Sequence, residues 1–219
     1  MRFHDRGHAG RLLAERLEHL AAAHPVVLGL TRGGIPVAFE VARVLEAPLD
    51  LIVVRKLGAL APSAGAIAEG GVLYLNPTYL RDARLDPDDA ASLADADVIE
   101  LAKRVRLYRA EFPASRLGGR TAIVVDDFVA TGTTARAAAR AARRRGAARV
   151  VLAVPVLAAG VEQELREDFD EVIALALPPP GEATSAWYER LEPASDDVAM
   201  ELLRRARLEW RAEAPAPVG

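Results

Sequence analysis

The sequence predicts an α/β fold, a mostly parallel sheet covered by helices on both faces. Short apolar runs recur at 26–30 (VVLGL), 121–125 (TAIVV) and 149–154. Continuous runs of this length mark strands buried on both sides, as parallel sheets require. Segments with helical spacing separate them, which implies strand–helix–strand units. Two loops rich in Gly and Thr follow strand ends, at 31–34 and 126–134, and open α/β sheets bind their ligands beyond the carboxyl ends of strands where the order reverses.

The elements are expected in this order. Residues 10–23 form a helix, with Leu13, Leu17 and Leu20 on one face, and Pro25 ends it. Residues 26–30 are the first core strand, and Thr31, Arg32, Gly33 and Gly34 form its loop. A helix covers 35–46, with Pro36 tolerated in its first turn. The second strand is 49–54. Residues 56–71 are rich in Ala and Gly without periodicity and are expected to form a long loop, a kind of segment that is often functional. A short strand follows at 72–75. The acidic start Asp86-Pro87-Asp88-Asp89 suits the positive end of a helix running to about 112. After the strand at 121–125, a helix spans 134–145. Gly146 stops it, and Arg143, Arg144 and Arg145 complement its negative end. Strands at 149–154 and 171–177 flank a helix at 161–168, and Pro178-Pro179-Pro180 stops the last strand. A final helix covers 196–210, and the Ala- and Pro-rich tail at 212–219 is expected to fray.

Composition narrows the chemistry. The 219 residues, 51% hydrophobic and 27% charged, suit one α/β domain with a small appendage. The net charge of −3 disfavours a general nucleic-acid binder. With no cysteine, disulfides, thiolate catalysis and Cys-ligated metals are excluded. All 4 histidines (His4, His8, His19, His24) precede the first strand, which disfavours a Ser–His–Asp triad. No P-loop and no Gly-x-Gly-x-x-Gly fingerprint is present. The first residues, MRFHDRGHAG, lack an apolar segment, and no apolar run approaches the ~20 residues of a membrane span. The expectation is a cytoplasmic protein without membrane contact.

The informative string is Ile123-Val124-Val125-Asp126-Asp127-Phe128-Val129-Ala130-Thr131-Gly132-Thr133-Thr134. A buried strand delivers two adjacent carboxylates to its end. The loop that follows carries hydroxyls and a glycine, and a helix begins there. Hydroxyls and backbone N–H groups at a helix N-terminus suit a phosphate, and carboxylates suit a pair of sugar hydroxyls. A ribose 5-phosphate has that shape.

This string resembles the signature by which type I phosphoribosyltransferases bind 5-phosphoribosyl-1-pyrophosphate (PRPP). The resemblance implies that Asp126 and Asp127 hold the ribose diol and act in catalysis, and that Ala130, Thr131, Gly132, Thr133 and Thr134 cradle the 5′-phosphate. Thr31, Arg32, Gly33 and Gly34 resemble the family's pyrophosphate loop. Arg55 and Lys56 resemble the pyrophosphate-touching pair of orotate-type members, in which a mobile loop ending Glu-Gly-Gly follows, here Glu69-Gly70-Gly71. Trp187 and Tyr188 stand where a nucleobase would stack. Mg²⁺ is implied as cofactor, held mainly through PRPP and water with Asp126 or Asp127 contributing.

The implied fold is a three-layer α/β/α sandwich, mostly parallel, with one antiparallel edge strand at 72–75 and the order reversing between 26–30 and 121–125. A single domain over 1–219 would have its core at 26–177 and a hood from 1–24, 78–115 and 178–210. The implied activity is transfer of the phosphoribosyl group to a nitrogen acceptor such as a nucleobase, in nucleotide salvage, by a homodimer. The alternative is a PRPP-sensing regulator on the same fold. One departure stands out: residues 57–71 contain no Lys or Arg, whereas orotate-type loops carry cations there to close over pyrophosphate.

Overall fold

The first core strand, β1 (Val26–Leu30), is buried at all its positions. Its side chains divide by the two-residue period of a strand. Val26, Leu28 and Leu30 join one hydrophobic cluster, and Val27 joins another on the opposite face. β6 (Thr121–Val125) divides the same way, with Ala122 and Val124 on the first face and Ile123 and Val125 on the second. Both strands are therefore sandwiched, which is why their sequences are apolar throughout.

The structure is a computed structural model that describes residues 2–58, 63–92 and 94–211. Its main sheet is parallel, in the order β2 (Leu49–Ile52), β1, β6, β7 (Arg149–Val156), β8 (Glu171–Ala176). The chain moves outward from β1 to β2, then returns past β1 to lay β6 on its other side. The order thus reverses between β1 and β6, as expected. Their register pairs Gly29 with Val125, so the loops leaving both strands start side by side.

Helices α1 (Arg6–Glu15) and α2 (Gly34–Val44) cover one face. On the other, α6 (Thr133–Arg144) lays its alanines, Ala135, Ala138, Ala139 and Ala142 among them, against the sheet. α1 begins earlier than its leucine pattern suggests, because Asp5 caps it by accepting from His8 N at 2.7 Å. A 3-10 turn, Glu18–Ala23, replaces the end of the expected helix.

Two expectations need correction. The first is the loop expected at 56–71. It contains β4 (Gly65–Ala68), which pairs antiparallel with β3 (Val54–Lys56) and with β5 (Val72–Leu75). The strand at 72–75 is thus antiparallel as expected, but it belongs to a small three-stranded sheet instead of edging the main one. β4 reads Gly-Ala-Ile-Ala, in which Ile67 alone favours a strand by propensity, and is buried at all four positions. Its small residues allow close approach of the alanine face of α6, so packing overrides propensity. Residues 59–62 of that loop, and the tail 212–219, lie outside the described residues.

The second is the single helix expected at 86–112. It is divided into α4 (Pro87–Ser92) and α5 (Asp95–Glu111). An additional helix, α3 (Pro77–Ala83), carries a recognisable start signal, because Asn76 caps it and Pro77 occupies its first turn. After β7 come α7 (Glu162–Leu165), β8, a 3-10 turn at Thr184–Trp187, and α8 (Asp196–Arg211). Among the described residues, no helix is long and apolar enough to cross a membrane.

Candidate functional site

The adjacent ends of β1 and β6 open into a cleft of about 770 Å³. From β1 come Thr31, Arg32 and Gly33, with a cis peptide between Thr31 and Arg32. From β6 come Asp126, Asp127, Ala130, Thr131, Gly132 and Thr134. Lys56, at the end of β3, joins them.

The two loops nearly touch. A Cβ on Gly33 would stand 2.7 Å from Cγ of Asp127 and closer still to Oδ2. No larger residue fits there while that carboxylate keeps its place. Gly132 meets a different demand. It precedes the first turn of α6 with φ +75°, in the left-handed region that favours glycine. The backbone thereby turns so that Thr133 and Thr134 start the helix. The hydroxyls of Thr131 and Thr133 lie 3.3 Å apart. The N-terminus of α6 faces the cleft with its positive dipole end, suited to an anion.

Electrostatics separate the two carboxylates. Burial at the strand end, reinforced by the neighbouring Asp127 charge, pushes Asp126 well above the usual carboxylate range. Its Oδ1 accepts from the backbone N of Asp127 at 2.9 Å. Asp127 meets Arg6 of α1, whose Nε and Nη2 both lie 2.7 Å from Oδ2. Arg6 also donates through Nη1 to the carbonyl of Glu192 at 2.6 Å, tying α1, the acidic pair and the C-terminal segment together.

Some expected site residues fall elsewhere. Arg55 is not in the cleft. Neighbouring residues of a strand point to opposite faces, so when Lys56 faces the cleft Arg55 faces away, and its Nε donates to Asp97 of α5 at 2.5 Å. Gly34 and Thr133 are withdrawn too. Gly34 packs against the end of β6, where a Cβ would lie 3.0 Å from Asp126 Cα, and Thr133 is buried.

The stacking role expected of Trp187 and Tyr188 is not supported. Tyr188 is buried, its ring 5.6 Å from that of Phe3, and its hydroxyl donates to the carbonyl of Asp127 at 2.8 Å. Burial and the nearby Asp127 charge push this phenol far up, so it remains a donor. It braces the acidic loop from behind. Trp187 is partly buried and donates its indole N–H to Glu182 at 2.9 Å. The cleft wall is instead formed by the preceding Glu182, Ala183 and Thr184, with Phe128 and Leu191.

Sequence reasoning misses Arg6 and Arg104, which also line the cleft. Both lie on helices remote in sequence from the motif, and no local pattern distinguishes them from solvated arginines. The Arg143–Arg145 run is more than a dipole complement. Arg145 Nη2 donates to the buried Asp50 at 2.7 Å and to the carbonyl of Ser115 at 2.9 Å.

Comparison with known proteins agrees with this geometry. The family described as "Phosphoribosyl transferase domain" matches residues 6–178. Two Mycobacterium tuberculosis proteins, "Putative phosphoribosyl transferase Rv0571c" of strain H37Rv and "Putative phosphoribosyl transferase MT0597" of strain CDC 1551, are each 45% identical over 217 residues. The match covers 98% of this chain and 49% of each relative, so the chain spans about half the length of those relatives. The crystal structure of TT1426 from Thermus thermophilus is 42% identical, with a TM-score of 0.79, covering 96% of this chain and 99% of that one. The AQ2163 protein from Aquifex aeolicus shares the fold at 12% identity, with a TM-score of 0.52 over 90% of this chain and 84% of that one. A family match from Arg6 to beyond the last core strand, joined to a solved relative aligned almost end to end, establishes the kinship: this chain belongs to the type I phosphoribosyltransferase family.

Proposed function

We propose that this chain binds PRPP and transfers its phosphoribosyl group to a nitrogen acceptor, a nucleobase or similar amine, releasing pyrophosphate. The observation that carries this reading is the meeting of two loops in one cleft. The acidic pair and Thr-Gly-Thr turn after β6 lie directly against the Arg32–Gly33 loop after β1. A ligand with a phosphate, a diol and a diphosphate in sequence spans that arrangement.

The roles follow from the chemistry of each group. The N-terminus of α6, with Thr131 and Thr134, binds the 5′-phosphate. Asp126 and Asp127 accept from the ribose hydroxyls, Asp127 oriented by Arg6 and braced through its carbonyl by Tyr188. Arg32 and Lys56 face the pyrophosphate. Breaking the bond between C1 and the pyrophosphate oxygen leaves positive charge on the ribose, which the paired carboxylates stabilise. The acceptor nitrogen attacks the opposite face. The wall formed by Phe128, Leu191, Thr184 and Glu182 offers it apolar flanks and polar edges. Positioning and electrostatics suffice, and no covalent nucleophile is required.

The donor set bears on the metal. Among the described residues, no group of three or more His, Asp or Glu is placed to hold one. Asp126 or Asp127 would hold a Mg²⁺ together with water and substrate, since hard carboxylate oxygens suit that ion. Bound there, it would supply positive charge to offset that of the departing pyrophosphate.

The test is calorimetric titration with PRPP, with and without Mg²⁺, followed by a screen of nucleobases for pyrophosphate release. The double variant Asp126→Asn, Asp127→Asn is expected to lose turnover while keeping its circular dichroism spectrum. Undiminished turnover by that variant refutes the assignment.

A further inference from the structure

The pyrophosphate half of this cleft lacks two cations that the family resemblance would place there. Residues 57–71 contain no Lys or Arg, and Arg55 is turned away to Asp97. Arg32 and Lys56 remain, and a diphosphate next to a buried carboxylate pair gains from a further cation.

Helix α5 offers one. Asp97 and Arg104 are seven residues apart, two turns, and so share a face. Asp97 fastens that face to β3 by accepting from Arg55 Nε at 2.5 Å, and it accepts from the backbone N of Gly58 at 2.7 Å. With the helix fixed there, Arg104 is carried to the cleft, which it lines together with Arg32 and Lys56. Its present partner holds it loosely. Arg104 Nε is 3.6 Å from Asp196 Oδ1, beyond good hydrogen-bonding distance. That same oxygen already accepts from the buried Tyr108 hydroxyl at 2.7 Å. By contrast, Arg6 and Arg55 contact their carboxylates at 2.7 and 2.5 Å.

We propose that Arg104 is a pyrophosphate-binding residue, supplying from α5 the cation that the loop after β3 lacks. This rests on the PRPP reading of the cleft. Arg104 leaves Asp196 and makes charge-assisted bonds to the diphosphate, and Asp196, kept in place by Tyr108, receives it again on release.

The test uses two fragments of the substrate as separate probes, magnesium pyrophosphate and ribose 5-phosphate, titrated into the full chain by calorimetry. Wild type binding neither fragment would sink the PRPP reading itself. Wild type binding both leaves that reading standing and isolates Arg104. Arg104→Ala is then expected to weaken pyrophosphate binding about 10- to 100-fold, the range for losing a charged hydrogen bond, with ribose 5-phosphate binding unchanged within about twofold. Arg104→Lys is expected to recover part of the loss. An equal loss for both fragments would mean that Arg104 acts through the fold, and no loss for either would mean that it does not reach the ligand. Both results overturn the inference.

Discussion

Arg6 engages a single oxygen of Asp127 from two nitrogens, Nε and Nη2, each at 2.7 Å. The arginine is on the first helix and the aspartate at the end of a central strand, 121 residues away in sequence. Both side chains are about 85% buried, 14% and 15% exposed, so the pair is shielded from the screening that makes surface ion pairs weak.

Removing Arg6 would leave Asp127 buried beside Asp126 with no cation against it. Arg6→Ala is therefore expected to cost about 3 kcal/mol of stability, as for other buried pairs broken on one side. For a chain of this length that is roughly 6–12 °C in melting temperature. Ribose 5-phosphate affinity should fall as well, because Asp127 loses the contact that orients it. Thermal melts and calorimetry on one preparation check both.

Gly33 sets a steric limit on the same carboxylate. A methyl group there would overlap Asp127 Oδ2, and the clash is with a side chain already fixed by Arg6. Gly33→Ala is expected to displace Asp127 and to weaken PRPP binding at least about 100-fold, well beyond the roughly 1 kcal/mol of an ordinary point substitution. Gly70→Ala supplies the contrast. Its Cβ would meet nothing within 4 Å, but φ is +80°, so it costs backbone strain without touching the site. Calorimetric titration of both variants distinguishes them.

Asp126 makes stability depend on pH in a direction that can be worked out. Burial and the Asp127 charge raise its folded-state pKa above the unfolded value. Between those two values the folded chain holds the extra proton, so stability falls as pH rises through that window. Asp126→Asn removes the ionisation. The variant should match wild type near the unfolded carboxylate value, about pH 4, and become progressively more stable than wild type as pH increases. Melting curves at several pH values measure this, and each 1 kcal/mol corresponds to about 2–4 °C. A difference that shrinks with rising pH would contradict the assigned cause.

How much of this is legible in the sequence depends on whether the signal is local. The string from Ile123 to Thr134 is a strand, a loop and a helix start in succession, so its parts are placed by local geometry alone. The reversal between β1 and β6 follows from the same motif, because two phosphate loops can meet only across a switch point. Arg6, Arg104 and the brace by Tyr188 come from chain ends and from α5, and tertiary packing alone brings them in. Arg55 and Lys56 look like a pair in the sequence, although strand alternation allows only one to face the cleft. β4 escapes a reading of the sequence because three of the four residues in Gly-Ala-Ile-Ala have little strand propensity and the strand is held in place by the alanines of α6.

The last prediction concerns a buried charge network that anchors α5 from its other end. Asp50 of β2 accepts from Arg109 Nη1 at 2.8 Å, from Arg145 Nη2 at 2.7 Å and from the backbone N of Ser115 at 2.8 Å. Arg109 also donates twice to Glu69, through Nε at 2.9 Å and through Nη2. Burial alone would raise the Asp50 pKa, but Arg109 and Arg145 outweigh it and hold this carboxyl below its usual range. A depressed folded pKa contributes stability that is present above the unfolded value and is lost as pH falls through the folded one. Arg109→Met keeps much of the side-chain volume and removes the charge, leaving Asp50 and Glu69 under-compensated. The expected cost near pH 7 is about 3–5 kcal/mol. Without Arg109 the Asp50 pKa moves up toward the unfolded value, so the variant has less stability to lose on acidification. The gap between variant and wild type should therefore stay constant from about pH 7 down to the unfolded carboxylate value, about pH 4, and narrow as pH drops below it. Urea unfolding at matched pH values tests it, and a gap that widens in acid would show that Arg109 does not hold Asp50 in its charged form.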